Sequence, residues 1–142
     1  MKDQRISSAE WEVMRVVWAY GAVKSRQVID VLAQEMDWKA ATIKTLLGRL
    51  VDKGVLSSHR EGRCYIYRAN ISEERMVEHL GDQLLASICA RDVGDLLHYL
   101  IKTHPLSRAD IKKIQKTLQE KQQTAPETLA CHCVKGQCDC NL

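Results

Sequence analysis

Four cysteines lie close together near the end of the chain. They are Cys131, Cys133, Cys138 and Cys140, in the pattern C-x-C-x4-C-x-C. Four thiolates bind one Zn²⁺ tetrahedrally with a site charge of −2, and two Cu⁺ bridged by the same thiolates give the same charge. Soft thiolates prefer Cu(I), and a single residue between paired cysteines is tighter than zinc fingers generally use. The pattern therefore predicts a site for Zn(II) or Cu(I).

The segment between the two cysteine pairs contains Lys135 and Gly136, which allow the chain to fold back so that both pairs meet at one centre. Two disulfides, a structural zinc clip and an artificial tag-like sequence are the other interpretations. Cys64 and Cys89 stand apart from this group and are expected to be small packing residues. His132 lies between two predicted ligands and is expected to point away from the metal.

The chain of 142 residues has no features of export or membrane insertion. Its polar start, Met1 to Arg5, has no apolar segment behind it, and its longest apolar runs are too short to cross a bilayer. We therefore expect a soluble cytoplasmic protein that does not associate with membranes. In a reducing compartment a thiol cluster binds metal or senses redox state more often than it forms disulfides. The sequence has no Ser/His/Asp arrangement and no glycine-rich nucleotide loop, so we expect no enzyme activity.

The elements ahead of this tail follow the order of a winged helix, and the fold class is predicted to be mostly α with a small β-hairpin. Ser7 and Glu10 form a predicted capping box for the first helix, and Ser25 is the predicted cap of the second. In the third helix, over roughly 38–53, Ile43, Leu46, Leu47, Leu50 and Val51 form one apolar stripe. Strand-forming residues then flank Glu61, Gly62 and Arg63, which predicts a hairpin with a basic tip.

Basic residues concentrate around this third helix and hairpin. Residues 38–68 contain seven lysines and arginines against two acidic residues. In a winged helix the third helix enters the major groove of double-stranded DNA and the wing contacts phosphates. Gly48 lies in the middle of the exposed face, where glycine makes the helix less stable than alanine does. The presence of glycine is explained if another molecule, such as DNA, approaches the backbone closely there. The candidate DNA contacts are Lys39, Thr42, Lys44, Thr45 and Arg49 on the helix, Arg60 and Arg63 on the wing, and Ser25 and Arg26 at the second helix.

Helices over 72–120 have one apolar stripe each, too few strong positions for a separate globule. One stripe per helix suits a homodimer, which matches a palindromic site; folding back on the first domain is the alternative. The predicted dimer contacts are Val77, Leu80, Leu84, Ile88, Leu96, Leu97 and Leu100. The predicted domains are therefore a winged helix at 1–71, a helical dimerisation region at 72–120, and a flexible tether with the cysteine tail at 121–142.

Three stretches of the sequence resemble a known family. Residues 6–14 (ISSAEWEVM), residues 37–50 (DWKAATIKTLLGRL) and the terminal C-x-C-x4-C-x-C are similar to the CopY-type copper-responsive repressors. These belong to the superfamily of penicillinase and methicillin-resistance repressors. Relatives often begin the third helix with Ser-Pro, whereas this chain has Lys39 and Ala40. Its cap is therefore expected from Asp37 or from the surroundings of Trp38.

The resemblance implies a homodimeric repressor of a copper-export operon that binds an inverted-repeat operator. It implies that the zinc form binds DNA, that Cu(I) displaces zinc and releases the repressor, and that Cys131, Cys133, Cys138 and Cys140 are the ligands. A copper chaperone that delivers Cu(I) is a further expected partner. One hypothesis for the switch is that the zinc-closed tail docks on the dimerisation helices. Two alternatives remain: a copper-buffering or chaperone protein whose front domain docks a partner, and a repressor that senses redox state through its thiols.

Overall fold

The computed structural model describes residues 5–141, which form two compact units, one up to Leu80 and one from Gly81 onward. The expectation that the chain carries no export signal rests partly on Met1 to Gln4, and these residues lie outside the described part of the structure. The elements are α1 (Ser8–Tyr20), β1 (Ala22–Lys24), α2 (Ser25–Met36), α3 (Ala40–Asp52), β2 (Leu56–Glu61), β3 (Cys64–Ala69), α4 (Glu73–Ala86), α5 (Val93–Thr103) and α6 (Arg108–Gln122). The predicted fold class, mostly helical with a β-hairpin wing, is confirmed.

The core of the first unit lies between its helices and its sheet. The apolar stripe predicted for α3 faces this core: Ile43, Leu46, Leu47 and Leu50 are buried and Val51 is half-buried. From α2, Val28 and Leu32 are buried, whereas Met36 at its end is exposed. Further large side chains that are fully buried are Val13, Met14 and Val17 of α1, Val23 of β1, Val55, Leu56 and Met76.

The predicted capping box at α1 is confirmed. The backbone N–H of Glu10 donates to Ser7 Oγ at 3.1 Å, and the backbone N–H of Ser7 donates to Glu10 Oε1 at 3.3 Å. Two tryptophans of α1 contact each other, and one of them also bonds to a residue outside the helix. Trp11 and Trp18 meet edge to face with ring centroids 5.7 Å apart, and Trp18 Nε1 donates to the carbonyl of Ile71 at 2.9 Å.

The starts of α2 and α3 differ from the sequence-based expectation. Ser25 is the first helical residue and not the cap, because Lys24 takes the N-cap position and its backbone N–H donates to Gln27 Oε1. Lys39 is the N-cap of α3 and makes no side-chain cap hydrogen bond. Asp37 does not cap α3; it ends α2 in the left-handed region with φ of 54°. The reason is that short side chains such as aspartate tolerate this conformation at a helix end.

The sheet has three antiparallel strands in the order β1-β3-β2. The predicted hairpin is present as β2 and β3, with His59 opposite Ile66. β1 pairs with the other edge of β3, where Val23 lies opposite Tyr67. Val23 and Ile66 are buried and so attach the sheet to the helical core.

The second unit contains the end of α4, then α5, α6 and the cysteine tail. A short 3₁₀ turn at Ala90–Asp92 separates α4 from α5. Ser107 and Asp110 form a capping box at the start of α6. This helix continues to Gln122, past the predicted beginning of the tether. Among the described residues, no helix has the length and apolar character needed to span a membrane.

Candidate DNA-binding surface and thiol cluster

The polar face of α3 is exposed along its length. Thr42, Lys44, Thr45 and Arg49 are all exposed, and Lys39 is exposed at the N-cap. The buried stripe on the opposite face holds the helix against the core, so these side chains project from a rigid element. An exposed face with two basic side chains and two threonines presents groups that can contact phosphates and base edges.

Two features in the middle of this face affect how closely another molecule can approach. Thr45 Oγ1 donates to the carbonyl of Ala41 at 3.0 Å, which turns the hydroxyl toward the helix backbone. A Cβ added at Gly48 meets no heavy atom within 4 Å. No neighbour among residues 5–141 therefore requires glycine at this position, and packing does not explain why the helix carries a residue that lowers its stability.

The remaining predicted DNA contacts lie on the wing and at the start of α2. Arg60 and Arg63 are exposed, and Arg60 Nε donates to the carbonyl of Gly62 at 3.1 Å across the wing turn. Ser25 is half-buried, and exposed Arg26 forms an ion pair with Asp30 at 3.2 Å. Arg63 thus extends from the wing tip, while Arg60 stabilises the turn that holds it.

The side chains predicted to form a dimer interface are incompletely covered within the single chain. Val77, Leu80 and Leu84 on α4 and Leu97 on α5 are each about half exposed. Ile88, Leu96 and Leu100 are half-buried. Neither α5 nor α6 has a buried residue, and Ile111 and Leu118 of α6 are also exposed.

A tight turn brings the two cysteine pairs of the tail toward each other. The backbone N–H of Gln137 donates to the carbonyl of Val134, and the backbone N–H of Val134 donates to Gln137 Oε1, both at 2.9 Å. Gly136 has φ of 93°, a conformation that side chains disfavour. The fold-back expected at Lys135 and Gly136 is therefore present.

The turn places three of the four predicted ligands together, with a fourth thiol from elsewhere in the chain. The Sγ atoms of Cys89, Cys131, Cys133 and Cys138 all lie within 4.8 Å of one another. Cys131 Sγ is 3.2 Å from Cys138 Sγ and 3.6 Å from Cys89 Sγ. We call these four residues the thiol cluster.

Cys140 lies at the edge of the thiol cluster and outside that mutual 4.8 Å grouping. Its Sγ is 3.9 Å from Cys89 Sγ, and Arg91 Nη1 donates to it at 3.6 Å. This hydrogen bond, followed by attraction to any negative charge on Cys140, raises the pKa of Arg91. A guanidinium therefore stands beside the sulfur atoms and offsets part of the negative charge they carry as thiolates.

The pKa values of three cluster thiols are raised. Hydrogen bonding with Cys131 lowers the pKa of Cys133, but desolvation and hydrogen bonding with Cys138 outweigh it and raise the pKa to about 11. A backbone hydrogen bond from Cys133 and a side-chain hydrogen bond with Cys138 lower the pKa of Cys131, but desolvation and the side-chain hydrogen bonds with Cys133 and Cys89 outweigh them and raise it. Hydrogen bonding with Cys131 and desolvation both raise the pKa of Cys138. Because a metal binds the thiolate form, thiols with raised pKa values release protons when they become ligands.

The donor set of the thiol cluster fits a soft or borderline metal ion. Zinc sites built from four cysteines have Zn–S bonds of about 2.3 Å in a tetrahedron, which places neighbouring sulfur atoms about 3.8 Å apart. Within the cluster, the Cys89 to Cys131 separation of 3.6 Å is close to this value, and the Cys131 to Cys138 separation of 3.2 Å is shorter. A cleft of about 490 Å³, lined by Cys89, Cys133 and Cys138 among others, opens onto the cluster and gives access to it.

The sequence predicts Cys89 to be a packing residue and gives no indication that its thiol meets the tail cysteines. It is buried, as expected, yet its sulfur faces the tail. No spacing rule links positions 42 residues apart, so only the presence of a further cysteine in a chain with a cysteine-rich tail could have drawn attention to it. Cys64 lies exposed on β3 in the other unit.

A family model and several relatives indicate the same family. The chain matches the penicillinase repressor family over residues 6–120. It is 44% identical over 135 residues to an uncharacterised 16.5 kDa protein from the ptsI 3′ region of Latilactobacillus sakei, covering 95% of this chain and 92% of that one. It is 32% identical over 119 residues to the penicillinase repressor of Bacillus licheniformis, with 84% and 93% covered. The solution structure of the DNA-binding domain of the repressor BlaI is 43% identical, with 51% of this chain and 90% of that chain covered and a TM-score of 0.48.

The family match runs from α1 through α6 and includes the helix that carries the exposed polar face. The superfamily predicted from residues 6–14 and 37–50 is therefore confirmed, as is the winged-helix fold. Membership also confirms the expectation of no enzyme activity, because the relatives are repressors. The chain is a transcriptional repressor with a DNA-binding domain, and it belongs to the penicillinase repressor family.

Proposed function

We propose that this chain is a copper-sensing repressor that acts in the cytoplasm. A zinc-loaded homodimer binds an inverted-repeat operator of copper-export genes, and exchange of zinc for Cu(I) at the cysteines releases the DNA. The observation that carries this proposal is the mutual approach, within 4.8 Å, of the thiols of the tail cysteines Cys131, Cys133 and Cys138 in a chain of the penicillinase repressor family. The copper specificity follows from the resemblance of the C-x-C-x4-C-x-C tail to CopY-type repressors and from the preference of thiolates for Cu(I).

The exposed face of α3 supports the DNA-binding part of the proposal. Thr42, Lys44, Thr45 and Arg49 are positioned by a helix whose other face is buried, as direct readout in the major groove requires. Arg63 at the wing tip is placed for phosphate contacts, which orient the domain and carry no sequence information.

The exposed apolar side chains of α4 to α6 support a second copy of the chain as the partner. Leu80 is 52% exposed, Leu84 50% and Leu97 45%. These residues lie on the apolar stripes of their helices, which is where an interface is expected. A helix such as α5, with no buried residue, gains little stability from its own chain. Pairing two copies covers these side chains. It also relates the α3 helices of the two copies by a two-fold axis, and this symmetry matches that of an inverted-repeat operator.

Metal control requires that the two metal forms differ in their affinity for DNA. The predicted ligands Cys131, Cys133, Cys138 and Cys140 hold zinc in the DNA-binding form and Cu(I) in the released form. By linkage, Cu(I) must favour the DNA-free form by the same free energy by which it weakens operator binding, typically about 1–3 kcal/mol. Cu(I) tolerates a lower coordination number than zinc, so the exchange changes how the four thiolates are arranged around the metal.

The decisive experiment is fluorescence anisotropy of the full-length zinc-loaded protein on DNA from its own promoter region. The complex is titrated with Cu(I) under anaerobic, reducing conditions. We expect binding to be lost near stoichiometric copper, and we expect the Cys131→Ser/Cys133→Ser variant not to respond. Cys64→Ser, which removes a cysteine outside the cluster, is the matched control and should respond as the wild type does.

Two outcomes contradict the proposal. Operator binding that is indifferent to copper leaves a repressor whose cysteines serve a structural or buffering role. A lack of DNA binding, or a salt dependence too shallow for phosphate contacts, favours the alternative of a copper-buffering or chaperone protein whose front domain docks another protein. Membership in a repressor family favours DNA binding over that alternative.

A thiol redox sensor is the second candidate function. The 3.2 Å separation of the Cys131 and Cys138 sulfur atoms favours it, because oxidation of this pair to a disulfide needs little movement. The raised pKa values of both thiols oppose it, since the thiolate is the reactive form. Release of operator DNA by peroxide in metal-free protein, at a rate comparable to metal-driven release, is the result that supports this candidate over copper sensing.

A further inference from the structure

We propose that Cys89 supplies a thiolate to the metal bound by the tail and thereby fastens the tail to the turn between α4 and α5. This inference rests on the proposed function, because it names a further ligand of the same metal site. The predicted ligand set consists of the four tail cysteines alone. The structure places a fifth sulfur among them, from a position 42 residues before Cys131.

The first support is the position of the Cys89 sulfur relative to two tail sulfurs. It lies 3.6 Å from Cys131 Sγ and 3.9 Å from Cys140 Sγ, on either side of the edge length of a tetrahedral zinc–thiolate site. It also belongs to the group of four sulfur atoms that are all mutually close, whereas Cys140 does not. By geometry alone, Cys89 is therefore better placed than Cys140 to complete a site with Cys131, Cys133 and Cys138.

The second support is that the backbone of Cys89 is held in place. Cys89 is the N-cap of the 3₁₀ turn Ala90–Asp92, and its carbonyl accepts a hydrogen bond from the Asp92 N–H at 2.9 Å. The residue is 8% exposed, so its thiol has little rotational freedom. Binding a metal orders its ligands, and this ordering costs entropy. The cost is smaller for a ligand already held by its surroundings than for a ligand on the tail.

The third support is the charge beside the site. A metal ion with four thiolates keeps a negative charge, and a fifth thiolate nearby increases it. Arg91, two residues after Cys89, places Nη1 3.6 Å from Cys140 Sγ. The same turn thus provides a thiol for the metal and a permanent cation for the surplus negative charge.

Ligation by Cys89 connects the metal to the segment that follows α4. The residue follows α4, a single helix over Glu73–Ala86 whose Met76 is buried in the core of the first unit. Bound metal then joins the tail to the end of the helix that leaves the DNA-binding domain. Without this ligand, a tail-only site has no bond to that helix.

The experiment compares full-length wild type with Cys89→Ser, Cys140→Ser and Cys64→Ser. Zinc affinity is measured by competition with a chromophoric chelator, and Co(II) absorption reports the number of thiolate ligands. We expect Cys89→Ser to weaken zinc binding at least about tenfold, the lower limit of losses caused by changes around metal ligands. It should also lose thiolate–Co(II) absorption, while Cys64→Ser matches wild type.

A second measurement needs no substitution and so does not depend on the folding of a variant. Wild-type protein, with and without zinc, is alkylated and the modified cysteines are identified by mass spectrometry. We expect zinc to slow the modification of Cys89 and not that of Cys64.

Each contrary result has a distinct meaning. If Cys89→Ser retains the zinc affinity and Co(II) spectrum of wild type, or if zinc leaves Cys89 alkylation unchanged, Cys89 is a packing residue. The tail-only metal site and the proposed function then stand. If wild type binds neither zinc nor Co(II), the proposed function fails together with this inference.

Discussion

Lys53 Nζ lies 2.9 Å from Glu10 Oε1 and joins the end of α3 to the first turn of α1. The Glu10 side chain is 4% exposed, and its Oε1 also accepts from the Ser7 backbone in the capping box. Lys53 Nζ additionally donates to the carbonyl of Arg5 at 3.0 Å. Since Oε2 of Glu10 has no hydrogen-bond partner among the described residues, the carboxylate depends strongly on Lys53.

Replacing Lys53 by methionine is expected to destabilise the DNA-binding unit. Loss of the ammonium leaves a buried carboxylate with fewer partners, and an unsatisfied buried polar group costs about 1–3 kcal/mol. The measurement is urea unfolding followed by tryptophan fluorescence, because Trp11, Trp18 and Trp38 all belong to this unit. Lys112→Met, on the exposed surface of α6, is the control and should unfold as wild type does. Equal unfolding midpoints for both variants contradict the role assigned to Lys53.

Stability of the same unit is expected to fall at acidic pH. Desolvation raises the pKa of Glu10, but the hydrogen bonds from Lys53 and Ser7 outweigh it, so the folded-state pKa is lowered from the ordinary value of 4.5. A carboxyl with a lowered pKa stabilises the fold above the unfolded-state pKa and loses that contribution as pH falls through the folded-state pKa. The free energy of unfolding, measured by tryptophan fluorescence from pH 6 to pH 3, should therefore decline below about 4.5. Glu10→Gln should show a shallower decline, and an unchanged slope in this variant refutes the assignment.

Gly48→Ala is expected to stabilise α3 and to weaken operator binding. Alanine is favoured over glycine within a helix by up to about 1 kcal/mol, and a Cβ here meets nothing within 4 Å. If DNA approaches the helix backbone at this position, the added methyl group reduces operator affinity although the fold is more stable. Unfolding by urea and anisotropy on operator DNA measure the two effects in one variant. Tighter or equal operator binding shows that DNA does not come close to this backbone.

Leu84→Asp is expected to convert the dimer into a monomer without unfolding the chain. The side chain is 50% exposed in the single chain, so an aspartate there remains solvated unless a second copy covers it. Sedimentation equilibrium gives the mass, and circular dichroism checks the helix content. Leu129→Asp places the same charge at a side chain of similar exposure outside the helices and should leave the dimer intact. A dimer that survives Leu84→Asp excludes this stripe as the interface.

Local sequence patterns were sufficient for the features whose partners lie within one or two helical turns. The capping boxes at Ser7 and Ser107 are formed by residues three positions apart, and both are present. The buried stripe of α3 repeats with the period of the helix, so its inward face follows from spacing alone. The turn at Gly136 was predictable for the same reason, because it depends on the conformational freedom of one residue.

The identity of each long-range partner depended on the path of the folded chain. The pairing of Glu10 with Lys53 and the pairing of β1 with β3 join segments more than forty residues apart. The approach of Cys89 to the tail cysteines has the same origin. Helical periodicity states which face of an element is apolar, but it contains no information on which other element covers that face. Packing of the whole chain selects these partners, because the free energy gained by burying the apolar faces together determines which distant residues meet.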